Sequence, residues 1–99
     1  MNELDFREWL TKLDVSRKVQ SDLVSRLKKL QRALNNCDLD ECYKQDKCAS
    51  ILKVFDNKGE NEFMAAYKTV DLPVGKYHLC VYKHALKKYI KFLEATVDR

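Results

Sequence analysis

The side chains in this 99-residue chain with the widest chemical repertoire are four cysteines, two histidines, a group of acids at 38–41 and nineteen Lys and Arg. The cysteines stand at 37, 42, 48 and 80, separated by four, five and thirty-one residues. No pair has the C-x-x-C spacing of a zinc knuckle or a redox motif. Cys80 and His84, at i and i+4, offer two ligands that could share a metal with Cys37 or Cys42. That spacing is irregular for zinc, and no metal is expected. The thiols are expected reduced, with Cys48 and Cys80 buried as small apolar side chains. Asp38, Asp40 and Glu41 read more simply as a capping box opening a helix than as an acidic metal site. There is no Gly-rich phosphate loop, no Ser-His-Asp order and no H-E-x-x-H. The sequence therefore points to a non-enzymatic protein with no catalytic residues and no cofactor.

What remains is cationic chemistry. Formal charge is only +4, but it is segregated along the chain. Residues 16–34 carry +5 and residues 76–91 carry +5 with no acid. Residues 1–15 carry −2, residues 35–62 carry −3, residues 63–75 are neutral and residues 92–99 carry −1. Such segregation suits contact with an oriented polyanion better than an evenly mixed surface does.

The elements that present these charges are helices. In 16–34, SRKVQSDLVSRLKKLQRAL, apolar Val19, Leu23, Leu27, Leu30 and Leu34 fall on one stripe. Lys18, Lys29 and Arg32 lie opposite, with Arg17, Arg26 and Lys28 on the flanks and Asp22 the lone acid. Ser16 is placed to cap the start, and Asn35-Asn36 to end it. The last helix is expected over 77–97, with Leu79, Leu86, Ile90, Leu93 and Val97 inward, helped by Tyr82 and Tyr89. Lys83, Lys87 and Lys91 follow one line at i, i+4 and i+8, beside His84 and Lys88. Like charges at that spacing cost about a few tenths of a kcal/mol per pair, a cost that a phosphate backbone would offset. His78 and His84 read as ordinary surface residues.

The intervening chain reads as shorter helices. Phe6, Trp9, Leu10 and Leu13 predict a first helix capped by Asn2, with Trp9 as a core anchor rather than a base-stacking platform. Asp38 opens a helix that turns Leu39, Cys42 and Tyr43 inward. Asp46 caps another, with Cys48, Ile51, Leu52 and Phe55 on its buried side. Asp56-Asn57-Lys58-Gly59 is a turn, and a helical turn or two with Phe63, Met64 and Tyr67 follows, ending before Pro73. Gly75 then releases the chain into the last helix.

Composition agrees with this outline. Two Gly and one Pro are few for short strands and tight turns, and 45% hydrophobic with 34% charged residues describes a folded globule. At this length one domain, 1–99, is expected. No apolar run reaches the roughly 20 residues that span a bilayer. MNELDFREWL has neither a basic n-region nor an apolar h-region, so the expected compartment is the cytoplasm, with no membrane contact.

Residues 16–34 followed by HALKKYIKFLE resemble the SAM-like core-binding helical domain of tyrosine recombinases and phage integrases, and similar modules preceding bacterial nucleases. The match is to the long helix and, through ALKKYIKFL at 85–93, to the final one. The resemblance implies an all-α, compact bundle of four to five helices that clamps one side of duplex DNA through its phosphates. Carried over, Arg17, Lys18, Arg26, Lys29 and Arg32 on the long helix and Lys83, Lys87, Lys88 and Lys91 on the final one would contact DNA. The acidic middle departs from that pattern, and the catalytic half of a recombinase is absent. A second expectation therefore stands beside DNA: a small phage or mobile-element module that inhibits a host nuclease or nucleoprotein complex, gripping a protein partner through the acidic segment 38–46 (Asp38, Asp40, Glu41, Asp46).

Overall fold

A computed structural model of the chain describes residues 1–34, 36–65, 72, 76 and 79–97, without the side chains of Lys58 and Val97. Its helices are α1 (Glu3–Lys12), α2 (Arg17–Ala33), α3 (Leu39–Asp46), α4 (Ala49–Lys53), α5 (Glu62–Ala65) and α6 (Leu79–Val97), with a 3-10 turn at Asp56–Gly59. No strand occurs among the described residues. The radius of gyration, 13.3 Å, is that of a compact chain of this length. The expectations placed on Asn35, Tyr67, Pro73, Gly75, Tyr77 and His78 lie outside the described residues.

The first two helices form an antiparallel hairpin, and local chemistry makes its corner. Asp14 adopts a left-handed φ of 60°. The Asp14 amide donates to Thr11 O at 3.0 Å and the Val15 amide to Leu10 O at 3.1 Å. This is the Schellman pattern that closes a helix C-terminus. Ser16 then caps α2, its Oγ accepting from the Val19 amide at 3.3 Å, as the sequence predicts. Buried Gln20 locks the corner: its Nε2 donates to Thr11 Oγ1 at 3.0 Å and to Val15 O at 2.8 Å.

These contacts correct two expectations. Leu13 is 49% exposed, because α1 ends at Lys12 and the Schellman turn carries Leu13 off the apolar stripe. Val19 is 47% exposed, because Gln20, 100° further round the first turn of α2, takes the inward position. The buried face of α2 is Gln20, Leu23, Val24, Leu27, Leu30 and Ala33.

α6 packs on both members of the hairpin, and its stripe is rotated from the one expected. Leu79, Ala85, Leu86, Tyr89 and Phe92 are buried, while Ile90 and Leu93 are half-buried. The reason is aromatic packing with α1. Phe6 meets Tyr89 edge-on at 5.0 Å between centroids and Phe92 at 5.5 Å, and Trp9 lies 5.8 Å from Phe92. Trp9 is half-buried against this cluster and so acts as the anchor expected of it. Cys80, expected inside, is exposed. It stands 100° from Leu79 and shares its face with His84 and Lys87 at i+4 and i+7.

The middle segment is tied down by polar contacts. Asp38 caps α3 by accepting from the Asp40 amide at 3.0 Å. Lys47 and Cys48 are consecutive left-handed residues that reverse the chain into α4. Cys48 is buried, with Sγ donating to Leu39 O at 3.6 Å. Asp46 supports the start of α4, accepting from the Ser50 amide at 3.1 Å and from the Ser50 hydroxyl.

Tyr89 joins the two halves. Its hydroxyl donates to Asp40 Oδ1 at 2.5 Å and accepts from the Asn2 amide at 2.8 Å, linking α6 to α3 and to the start of α1. Burial, with Asp40 adding to it, pushes the phenol's ionisation above its ordinary value. Tyr89→Phe keeps the ring packing and removes both bonds. It should lower the unfolding free energy by about 1–3 kcal/mol in urea titration with an unchanged helical circular dichroism spectrum.

Candidate nucleic-acid interface

The cations proposed from the sequence occupy two helices that pack against each other, α2 and α6. On α2, Arg17, Lys18 and Arg32 are exposed, and Arg26 and Lys29 are half-buried at the edge of the outward face. On α6, Lys87 and Lys91 are exposed, and Lys83 and Lys88 are half-buried. The α2 residues share one polar face because every residue on its opposite side is committed to the core.

Two of the lysines lean on aromatic rings. Lys29 Nζ lies 5.9 Å from the centroid of Tyr82 on α6, so that flank of α2 meets α6 directly. Lys88 Nζ lies 5.9 Å from the Trp9 ring, turned toward α1. Contacts of this kind hold an ammonium in place against a ring face. Arg26, three residues before Lys29, shares its flank.

The carboxylates pair elsewhere. Glu3 holds Lys28 at 2.7 Å and Arg7 at 3.1 Å, Glu8 holds Lys12 at 3.8 Å, and Glu41 holds Lys44 at 3.7 Å. The N-terminal ammonium lies 3.1 Å from Asp38 Oδ1 and 4.0 Å from Asp40 Oδ2. Among the described residues, Arg17, Lys18, Arg26, Arg32, Lys83, Lys87 and Lys91 have no carboxylate within ion-pair distance. Asp22 and Glu94, the acids on the two basic helices, pair with none of them. Lys28 differs from its neighbours only through α1, and its sequence environment gives no sign that Glu3 will reach it.

The acidic segment is placed differently from a continuous anionic surface. Asp38 and Asp40 turn toward the N-terminus and Tyr89, and Asp46 accepts from Ser50, while Glu41 is exposed beside Lys44. A cavity of about 340 Å³ opens beside Asp38, lined by Lys28, Gln31, Arg32, Asn36 and Cys37 among others. Among the described residues no group of three or more His, Cys, Asp or Glu is arranged to hold a metal ion. Nor is any helix of the described residues long and apolar enough to cross a membrane. No family model, curated protein or solved structure matches the chain.

The neutralised pairs carry a pH signature. Lys28, then Arg7, hold the Glu3 carboxyl below its ordinary 4.5, and the N-terminal ammonium holds Asp38 below its ordinary 3.8. A carboxyl depressed in the fold adds stability above its unfolded value and loses it as pH falls through the folded one. The urea midpoint should therefore stay level down to about pH 5 and drop below that. Glu3→Gln should lower the neutral-pH midpoint and flatten part of the acid limb, as read by denaturation from pH 7 to pH 2.

Proposed function

We propose that this chain is a non-catalytic DNA-binding module of the SAM-like core-binding kind, acting in the cytoplasm and contacting duplex phosphates through α2 and α6. The observation that supports it most is how many cations without a carboxylate partner gather on these two helices, against Lys47, Lys53 and Lys76 elsewhere among the described residues. Among the described residues, Arg7, Lys12, Lys28 and Lys44 each have a carboxylate partner. Arg17, Lys18, Arg26 and Arg32 on α2, and Lys83, Lys87 and Lys91 on α6, do not. Phosphate contacts of this type position a protein on the duplex and give affinity with little base preference. Lys29 and Lys88, set against Tyr82 and Trp9, add charge at the edges of the same two helices. The resemblance of 16–34 and 85–93 to core-binding domains favours the same reading. A partner for the acidic segment is the weaker reading, since Asp38, Asp40 and Asp46 already have internal partners.

Electrophoretic mobility shift of a random-sequence duplex across a salt series tests the proposal. If all the unpaired cations meet phosphates, the slope of log K against log salt approaches about −6. Reversing Lys83, Lys87 and Lys91 to Glu should abolish the shift while helicity is retained. Unchanged binding by that variant, or affinity indifferent to salt, would overturn the assignment.

A further inference from the structure

The cavity of about 340 Å³ between the end of α2 and the start of α3 is walled chiefly by hydrogen-bond donors. Lys28, Gln31 and Arg32 stand on one flank of α2 at i, i+3 and i+4, and Asn36, left-handed at φ 57°, lines it from the turn between the helices. The Gln31 amide has a fixed orientation: its Oε1 accepts from the Leu39 amide at 3.1 Å, which leaves Nε2 as the donor. The carboxylates near this cavity are already engaged. Asp38 Oδ1 accepts from the N-terminal ammonium at 3.1 Å and from the Asp40 amide at 3.0 Å. Glu3 is divided between Lys28 at 2.7 Å and Arg7 at 3.1 Å, so one negative charge answers two positive ones. Arg32 has no carboxylate within ion-pair distance among the described residues. The surplus around the cavity is therefore positive.

We propose that this cavity binds a phosphate monoester, with Arg32 and Lys28 holding the anion and the Gln31 and Asn36 side-chain amides donating to its remaining oxygens. A monoester carries about −1.5 to −2 charge at neutral pH and three strongly accepting oxygens. Arg32 brings a planar fork that suits two of those oxygens, and Lys28 brings a compact charge. Lys28 need not release Glu3, since an ammonium has three protons to donate. The volume falls at the small end of the roughly 300–1,000 Å³ range of small-molecule pockets. A phosphodiester inside a duplex is tethered on both sides and cannot enter a cavity of this size, whereas a monoester has one tether. The site shares Arg32 with the proposed duplex contact but does not rest on that reading.

The test is a titration of the isotope-labelled chain with phenyl phosphate at constant ionic strength, followed by amide NMR signals. The expected result is saturable shifts of the Gln31 and Asn36 side-chain amides and of the Leu39 backbone amide, with none from the diester methyl phenyl phosphate. Arg32→Ala should weaken binding by about tenfold or more with an unchanged helical circular dichroism spectrum, because Arg32 is exposed. Reversing Lys83, Lys87 and Lys91 to Glu should leave monoester binding in place, so this assignment and the duplex one fail separately. A 5′-phosphorylated trinucleotide that binds tighter than phenyl phosphate makes a nucleic-acid end the source of the monoester. One that binds no tighter makes the source a free small molecule. No saturable shift, an equal response to the diester, shifts reproduced by sodium chloride, or full affinity in Arg32→Ala would each refute the site.

Discussion

The fold depends on burying Tyr89 whole while satisfying its hydroxyl. A phenol in an apolar interior is tolerable only if its oxygen is hydrogen-bonded, and the two partners come from opposite ends of the chain's first half. The Asn2 amide lies 87 residues away in sequence and Asp40 lies 49 away. Phe6 and Phe92 enclose the ring at 5.0 and 5.4 Å, so the apolar body and the polar tip specify one arrangement of α1, α3 and α6 together. Helix pairs with purely aliphatic contacts tolerate rotation and sliding. This one is pinned by a directional bond.

The same economy governs charge. The acids near the N-terminus and at the start of α3 are drawn into internal partnerships: Glu3 with Lys28 and Arg7, Asp38 with the N-terminal ammonium, and Asp40 with Tyr89. Lys28 belongs by sequence to the densest basic run, yet the packing of α1 on α2 neutralises it. The cations on the outer faces of α2 and α6 are beyond the reach of these acids. A mildly basic composition is thereby converted into two helices with largely uncompensated positive faces, on which the proposed phosphate contacts rest.

The cysteines divide by environment. Cys48 is held inside by two successive left-handed residues and a bond to Leu39 O. Cys80 faces outward on α6. Cys37 and Cys42 lie between these extremes, half-buried against the core.

Features written in local chemistry were legible from the sequence by itself. Apolar periodicity announced the two long helices α2 and α6, Ser16 the start of α2, and Asp38 the start of α3, because caps and apolar repeats act within one or two turns. The outward placement of the basic residues on α2 followed from the same periodicity. Tertiary packing decided the rest. Apolar periodicity bounds a helix face only to about one position, so Gln20 in place of Val19, and Ala85 with Phe92 as the inward partners of α6, depended on which neighbour each helix met. The contacts of Lys28 with Glu3, Lys29 with Tyr82 and Asp40 with Tyr89 each join separate helices. A residue's own surroundings in sequence carry no record of a partner that only the folded chain brings near.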